Sequence, residues 1–251
     1  MKQPLVSIIT SSFNAVNTIE QTINSVINQS YPNIEYIIID GGSTDGTVDV
    51  LKKYNAKIKY WISEPDRGIY NAWNKALKVA VGDWIAFLGA DDIYYPDAIG
   101  EYVKYINSAP GNDQLDFISS KIEIVDQQLN LLNLAGEKWS WPKFSYYMTT
   151  NHGGMFHNRK LFEKYGHFDE SYRSAGDYAL LLKAGRNLKA GFLDAITIKM
   201  REGGISSGGR FLFDEALKAK LTSKKVPAAR AYLRYYVGLG MFYLRKLRKH
   251  K

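Results

Sequence analysis

"LVSIITSSFNAVNTIEQTINSVINQSYPNIEYIIID", residues 5–40, is the stretch that decides the fold. Its two ends, 5–10 and 34–40, are β-branched runs with few charges, the signature of strands buried on both faces. Between them Ile19, Ile23, Val26 and Ile27 recur at helical spacing, with Asn17 or Thr18 in place to cap the helix. A strand, a helix and a strand this close together form a βαβ unit, which implies parallel pairing and a right-handed crossover. The alternation continues with a helix over 47–54, a strand over 57–63, a helix over 69–80 and a strand over 83–88. This pattern predicts an α/β protein with a mostly parallel central sheet and helices on both faces.

The second half is less regular. Residues 96–109 read as a helix opening on Pro96. A strand and hairpin are expected over 116–130, short helices over 159–165 and 176–187, and a strand over 195–200. We divide the chain into a catalytic-type domain, 1–210, and a basic helical tail, 211–251.

The formal charge of +8 is unevenly spread. From Ala216 onward there are 11 Lys or Arg and no acid, which leaves 22 basic against 25 acidic side chains, net −3, before it. A near-neutral body with a basic tail points to an acidic partner for the tail, either a membrane surface or nucleic acid. The lack of cysteine excludes disulfides and thiolate metal sites and favours a reducing compartment. The opening residues do not read as a signal peptide, and no charge-free stretch approaches the roughly 20 apolar residues of a spanning helix. The expected location is the cytoplasm.

In open parallel sheets, ligands bind beyond the carboxyl ends of the strands. Here the first strand ends in Thr10, Ser12 and Asn14, and the second in "DGGSTDGT", residues 40–47. The third ends in "SEPDRG", with Asp66 and Arg67, and the fourth in Asp91 and Asp92. One such loop is an ordinary turn. Four in succession predict a ligand-binding edge. Adjacent carboxylates raise each other's pKa unless a cation lies on them, so Asp91 and Asp92 suggest a metal, the alternative being a solvated turn. With no Cys and four His, that metal would be hard, Mg2+ or Mn2+, held by one or two carboxylates plus substrate phosphates.

The order "VSIITSSFN", "IEYIIIDGGSTDGT", "SEPDRGIYNAWNKAL", "GDWIAFLGADD" closely resembles the family 2 glycosyltransferases of the GT-A fold. The downstream segments "NHGGMFHNRKLFEKYGHFDE", "SAGDYALLLKAG" and "EGGIS" resemble that family's acceptor-side half, so the likeness runs over residues 4–207. It implies an inverting transfer of sugar from a nucleotide-diphosphate sugar, foremost a UDP-sugar, to an acceptor hydroxyl. The implied setting is cell-surface polysaccharide or glycolipid assembly, with a saccharide or lipid-linked saccharide as acceptor. Residues 1–95 would bind the donor and 96–210 the acceptor.

By the same resemblance, Thr10, Ser12 and Asn14 lie along the nucleotide, Asp40 contacts the base, and Asp66, Asn71 and Lys75 neighbour ribose or phosphate. Asp92 matches the metal-binding Asp of the family's DxD element, with Asp91 at the intervening position or on the sugar. The first acidic position of that element is Gly89 here. Asp177 matches the catalytic carboxylate at a helix start, where a general base takes the acceptor proton. Its alternative role is an N-cap. His152 is expected near the acceptor or the phosphates, or as a loop-ordering donor. Arg201, with Gly203, Gly204, Ile205 and Ser206, is expected on a flexible loop over the diphosphate.

Other classes fit less well. A sugar nucleotidyltransferase would need a basic, glycine-rich loop near "TSSFNAVNT", and a dinucleotide oxidoreductase a GxGxxG after the first strand; neither is present. A non-catalytic nucleotide-sugar binding protein of the same fold would be expected to lose Asp92 or Asp177. In the tail, Ala229, Leu233, Tyr236, Gly240, Tyr243 and Leu247 form one helical stripe, and Arg230, Arg234, Arg245 and Arg248 another. Such a helix is suited to lie on an anionic membrane, placing the protein peripherally on the cytoplasmic face. A helix packed on the body with its basic face in water, or a homodimer contact, is the alternative. The body carries no basic groove for nucleic acid.

Overall fold

The computed structural model describes residues 2–108, 110–204 and 209–249. The first half follows the predicted alternation: β1 (Val6–Ser12), α1 (Ile19–Ile27), β2 (Ile34–Asp40), α2 (Thr47–Lys53), β3 (Tyr60–Ser63), α3 (Ile69–Leu77) and β4 (Trp84–Gly89). There follow β5 (Ile93–Tyr94), α4 (Ala98–Ser108), β6 (Phe117–Val125), β7 (Leu131–Ala135), α5 (Trp141–Phe144) and β8 (Met155–Asn158). The chain continues through α6 (Arg159–Tyr165), α7 (Gly176–Ala184), β9 (Ala190–Arg201), α8 (Arg210–Ser223) and α9 (Ala228–Lys249).

The strands form one curled sheet in the order β3-β2-β1-β4-β8-β6-β9-β5, with β7 paired to β6. The β3-β2-β1-β4 segment is wholly parallel. Successive side chains of a strand face opposite ways, and both faces are buried. Ile8 and Ile38 pack with Ile19 and Ile23 of α1 and Ile99 and Tyr102 of α4. Ile9, Ile37 and Ile39 pack with Tyr70 and Trp73 of α3 and with α6 and α7. This double burial explains why the strands read as continuous apolar runs. It also makes a polar residue inside them costly unless it finds a partner.

The second half departs from that pattern. β8 lies antiparallel between β4 and β6, and β9 runs parallel to β6. β5 pairs antiparallel with the far end of β9, so the Gly89–Ile93 turn is held between β4 and β9. Strand β9 begins five residues before the apolar run that announced it, because its first residues join a ladder with β6. Thr18 occupies the N-cap of α1, but its side chain makes no capping hydrogen bond.

Candidate active site

Strand register gathers the polar ends predicted from sequence. Ser11 is paired with Gly89, Ser12 with Asp40, and Asp40 with Ser63. Four adjacent strands at about 4.8 Å spacing make an edge of roughly 14 Å.

Asp40, at the end of β2, is fully buried. It accepts hydrogen bonds from Ser12 Oγ (2.9 Å), Gly42 N (3.1 Å), Ser43 N (2.8 Å), Ser43 Oγ (2.6 Å) and Ser63 Oγ (2.7 Å). Burial pushes its carboxyl up, but the bonds from Ser43, Ser63 and Ser12 outweigh it and hold the group below the usual Asp range. Its polar capacity is thus spent on folding its own loop. Asn14 adopts a left-handed φ of 49° and accepts from Thr44 N (3.0 Å), while its own N donates to Ser43 Oγ (2.7 Å). Asp66 closes the same corner: its Oδ1 accepts from Gly68 N (2.8 Å), and a Cβ on Gly41 would lie 2.9 Å from its Oδ2.

Four of the residues named from sequence already hold protein partners. Thr10 does not reach the edge: it is fully buried, and its hydroxyl pairs with Tyr36 OH at 3.0 Å to satisfy a polar group inside the sheet. Asn71 and Lys75 turn to protein partners. Asn71 donates to Glu170 (2.9 Å), and Lys75 pairs with Glu64 (2.7 Å). Arg201 is no loop residue; it ends β9 and is buried. Its guanidinium donates to the Asp91 carbonyl and to Gln21 Oε1 (2.7 Å), and so braces the acidic turn. Ile205 and Ser206 lie outside the described residues.

Asp92 is buried, and its Oδ1 accepts from Arg201 N (3.1 Å). Burial first, and then the neighbouring Asp91 charge, push its carboxyl up to about 7. Burial raises Asp91 as well. A Cβ at Gly89 would lie 2.7 Å from Asp92 Oδ2 and 2.9 Å from Asp91 Oδ1. The two carboxylates thus fold over the space where a third acidic side chain would stand, which accounts for glycine there. Among the described residues no group of three or more His, Cys, Asp or Glu gathers to hold a metal. Two hard oxygen donors, one buried and one half-buried, whose charge Arg201 offsets only in part, fit a Mg2+ or Mn2+ that takes its remaining ligands from a diphosphate and water.

Asp177 is the second residue of α7, and Ala175, not Asp177, is the N-cap. Its Oδ1 accepts from Tyr178 N (2.8 Å) and lies 3.2 Å from Tyr70 OH. Burial pushes its carboxyl up to about 6. Gly176 precedes it because a Cβ there would strike the Tyr70 ring at 2.8 Å. The approach to α7 is fixed from α8, where Glu215 accepts from the backbone N of Arg173 (2.6 Å), Ser174 (2.8 Å) and Ala175 (2.9 Å).

The His152–Gly154 turn lies beside both carboxylates. His152 opens this short 3-10 turn, and its Nδ1 lies 3.6 Å from Asp177 Oδ2. A Cβ on the next residue, Gly153, would lie 3.7 Å from Asp92 Oδ2. The ring stacks on Trp73 at 4.6 Å, and burial, then His157, hold it well below 6.5. It is a neutral imidazole, so its contact with Asp177 is polar and not an ion pair. At 3.6 Å it is also too long for a hydrogen bond. Neither ring nitrogen has a partner among the described residues.

Sequence reasoning missed Phe13, Tyr70, Glu170 and Glu215. Phe13 stands 67% exposed at the end of β1, its ring against Gly41. An exposed aromatic at a strand end beside a glycine loop was a readable signal. The partners of Tyr70, Glu170 and Glu215 lie 40 or more residues away and left none.

Residues 7–166 match the profile described as glycosyl transferase family 2. The chain belongs to this family. An uncharacterized glycosyltransferase of Rickettsia typhi is 32% identical over 206 residues, 79% of this chain and 64% of its own length. TuaG of Bacillus subtilis, whose name assigns it provisionally to teichuronic acid biosynthesis, is 42% identical over 107 residues, 41% of this chain and 42% of its own. This chain therefore spans less than two thirds of either relative. Among solved structures, S. aureus TarS in complex with UDP-GlcNAc superposes with a TM-score of 0.71 at 18% identity, covering 92% of this chain and 70% of TarS. The mannosyltransferase PcManGT of Pyrobaculum calidifontis, in complex with GDP-Man and Mn2+, gives 0.62 at 18% identity, covering 96% and 75%. The architecture is the GT-A fold of this family.

Proposed function

We propose that this family 2 member transfers a sugar from a nucleotide-diphosphate sugar to an acceptor hydroxyl in a single inverting displacement. The observation that carries the reading is the His152–Gly154 turn, which touches Asp177 with one residue and abuts Asp92 with the next. The group read as proton acceptor and the group read as meeting the diphosphate thus flank one turn.

Asp177 is the base. Its carboxylate takes the proton of the acceptor hydroxyl as that oxygen bonds to the anomeric carbon, and the carbon–oxygen bond to the nucleoside diphosphate breaks. A pKa of about 6 leaves most of the group ionised at neutral pH yet basic enough to share a proton. Tyr70 orients the carboxylate, and the neutral His152 is placed to meet the incoming hydroxyl. Asp92, with Asp91 beside it, would hold Mn2+ or Mg2+, which when bound neutralises charge on the departing diphosphate.

The donor is read as a UDP-sugar, as in the TarS complex, with the base against Phe13 and the Asp40–Ser43 loop and the ribose near Asp66. The acceptor is read as a saccharide or lipid-linked saccharide of cell-surface polysaccharide, the role in TuaG's name.

A melting-temperature series with nucleoside diphosphates, with and without Mn2+, tests the donor half, since a ligand bound only by the native state stabilises it. UDP with Mn2+ should raise the melting temperature more than UDP alone. No response to any nucleoside diphosphate would contradict the proposal.

A further inference from the structure

Helix α9 packs on the body through a narrow stripe. Ala231 is buried in the core, and Tyr235 donates to Asp214 (2.6 Å). A Cβ on Gly238 would meet the Phe213 ring at 2.9 Å, and the Phe242 and Phe213 rings lie 5.7 Å apart. At about 100° per residue, these four fall within one arc of roughly 60°. Leu233, Tyr236, Val237, Leu244 and Leu247 lie on the opposite side, each between 41% and 67% exposed. The apolar stripe read from the sequence is therefore the face turned away from the protein. The basic stripe is divided: Arg234 stacks its guanidinium over the Tyr146 ring at 3.7 Å, while Arg230 is exposed. The side chains of Arg245 and Arg248 lie outside the described residues.

We propose that α9 lays this face into an anionic lipid surface. Scattered exposed apolar residues need no explanation, but a contiguous apolar helix face marks an interaction site. Charge selects the occupant. Residues 228–249 carry six Lys or Arg and no acid, and the sequence from Ala216 onward carries no acid at all. A second copy seated on this face would bring like charges together, whereas anionic headgroups neutralise them. No helix among the described residues is long and apolar enough to cross a membrane, so α9 lies in the plane of the interface.

The lipid-facing helix is tied to the acceptor side of the site. Arg234 covers Tyr146, whose carbonyl accepts from Lys220 Nζ of α8 (2.7 Å). From Tyr146 the chain runs through Thr149 and Thr150 to His152. A bilayer beneath α9 would thus meet the half of the molecule that takes the acceptor. This last link rests on the glycosyl-transfer reading; membrane binding itself does not.

The test is co-sedimentation of the full chain with phosphatidylcholine vesicles, with and without phosphatidylglycerol, beside the Leu233→Glu/Leu244→Glu variant. The wild-type chain should pellet with the anionic vesicles and be released by high salt. The variant should lose at least about tenfold in partitioning, since it removes two apolar side chains and sets two negative charges against the anionic surface, while its melting temperature is unchanged. Equal pelleting of variant and wild type overturns the proposal, as does equal pelleting on neutral vesicles. Failure to pellet, with a concentration-dependent dimer that the variant abolishes, would instead assign the face to a second copy. Pelleting without any nucleotide response would sink the glycosyl-transfer reading and leave this one standing.

Discussion

The donor edge and the acceptor side of this site are built in opposite ways. Along the loops after β2 and β3 and in α3 polar groups are spent on one another: Asp40 takes five hydrogen bonds, Lys75 holds Glu64, and Asn71 holds Glu170. At the Asp91–Asp92 turn Arg201 Nε alone is buried without a partner among the described residues. On the acceptor side, Thr149 Oγ1, Thr150 Oγ1, Trp139 Nε1 and both nitrogens of His152 are buried without partners among the described residues. An unmet buried donor or acceptor costs about 1–3 kcal/mol. A fold that tolerates several along one segment keeps them for water or a ligand's hydroxyls. On the proposed reading, the nucleotide would meet a preformed loop surface, whereas the acceptor would complete a set of unpaired groups.

The sharpest way to break this contrast is Asp177→Asn. Loss of a base costs about 10²–10⁴-fold in turnover, and the amide nearly preserves shape. Full turnover in that variant, measured as nucleoside diphosphate release with acceptor present, would remove Asp177 from the chemistry. Next in size is Phe13→Ala. An aromatic platform under a base is worth about 1–3 kcal/mol, so the donor KM should rise about tenfold or more with little change in kcat. An unchanged KM would take Phe13 off the nucleotide.

A smaller effect follows from Asp92, whose raised pKa of about 7 makes protons compete with the metal. Only the ionised carboxylate binds a cation, so metal affinity is full above pH 7 and is lost as pH falls through it. Between pH 8 and pH 6 the apparent Mn2+ affinity in the presence of UDP should fall about tenfold, one decade per unit below the pKa. Calorimetric titration at the two pH values checks this. A pH-independent affinity would mean that Asp92 is not the ligand.

The parallel half of the fold was legible because doubly buried strands and amphipathic helices each write their own period into the sequence. The candidate site was legible where the sequence carries an unusual local pattern: paired carboxylates after a strand, and an acid after Gly176 at a helix start. What stayed hidden depends on distant partners. Thr10 looks like an edge residue until Tyr36 is seen to satisfy it inside the sheet. Arg201 looks like a loop residue until β5 pairs with β9 and brings it onto the Asp91 carbonyl. Glu215 sits in what reads as tail, yet it holds the three residues before α7. The apolar stripe of α9 was visible in sequence, but not which way it faced.

The central claim is a division of labour between a buried carboxylate and a half-buried one that flank one turn: Asp92 serves the donor and Asp177 the acceptor. Its most direct test is the affinity for UDP in the presence of Mn2+, measured by calorimetry for wild type, Asp177→Asn and Asp92→Asn. Asp177→Asn should bind UDP as wild type does, and Asp92→Asn should lose the Mn2+-dependent part of the affinity. Loss of UDP affinity in Asp177→Asn, or wild-type affinity in Asp92→Asn, would contradict the account.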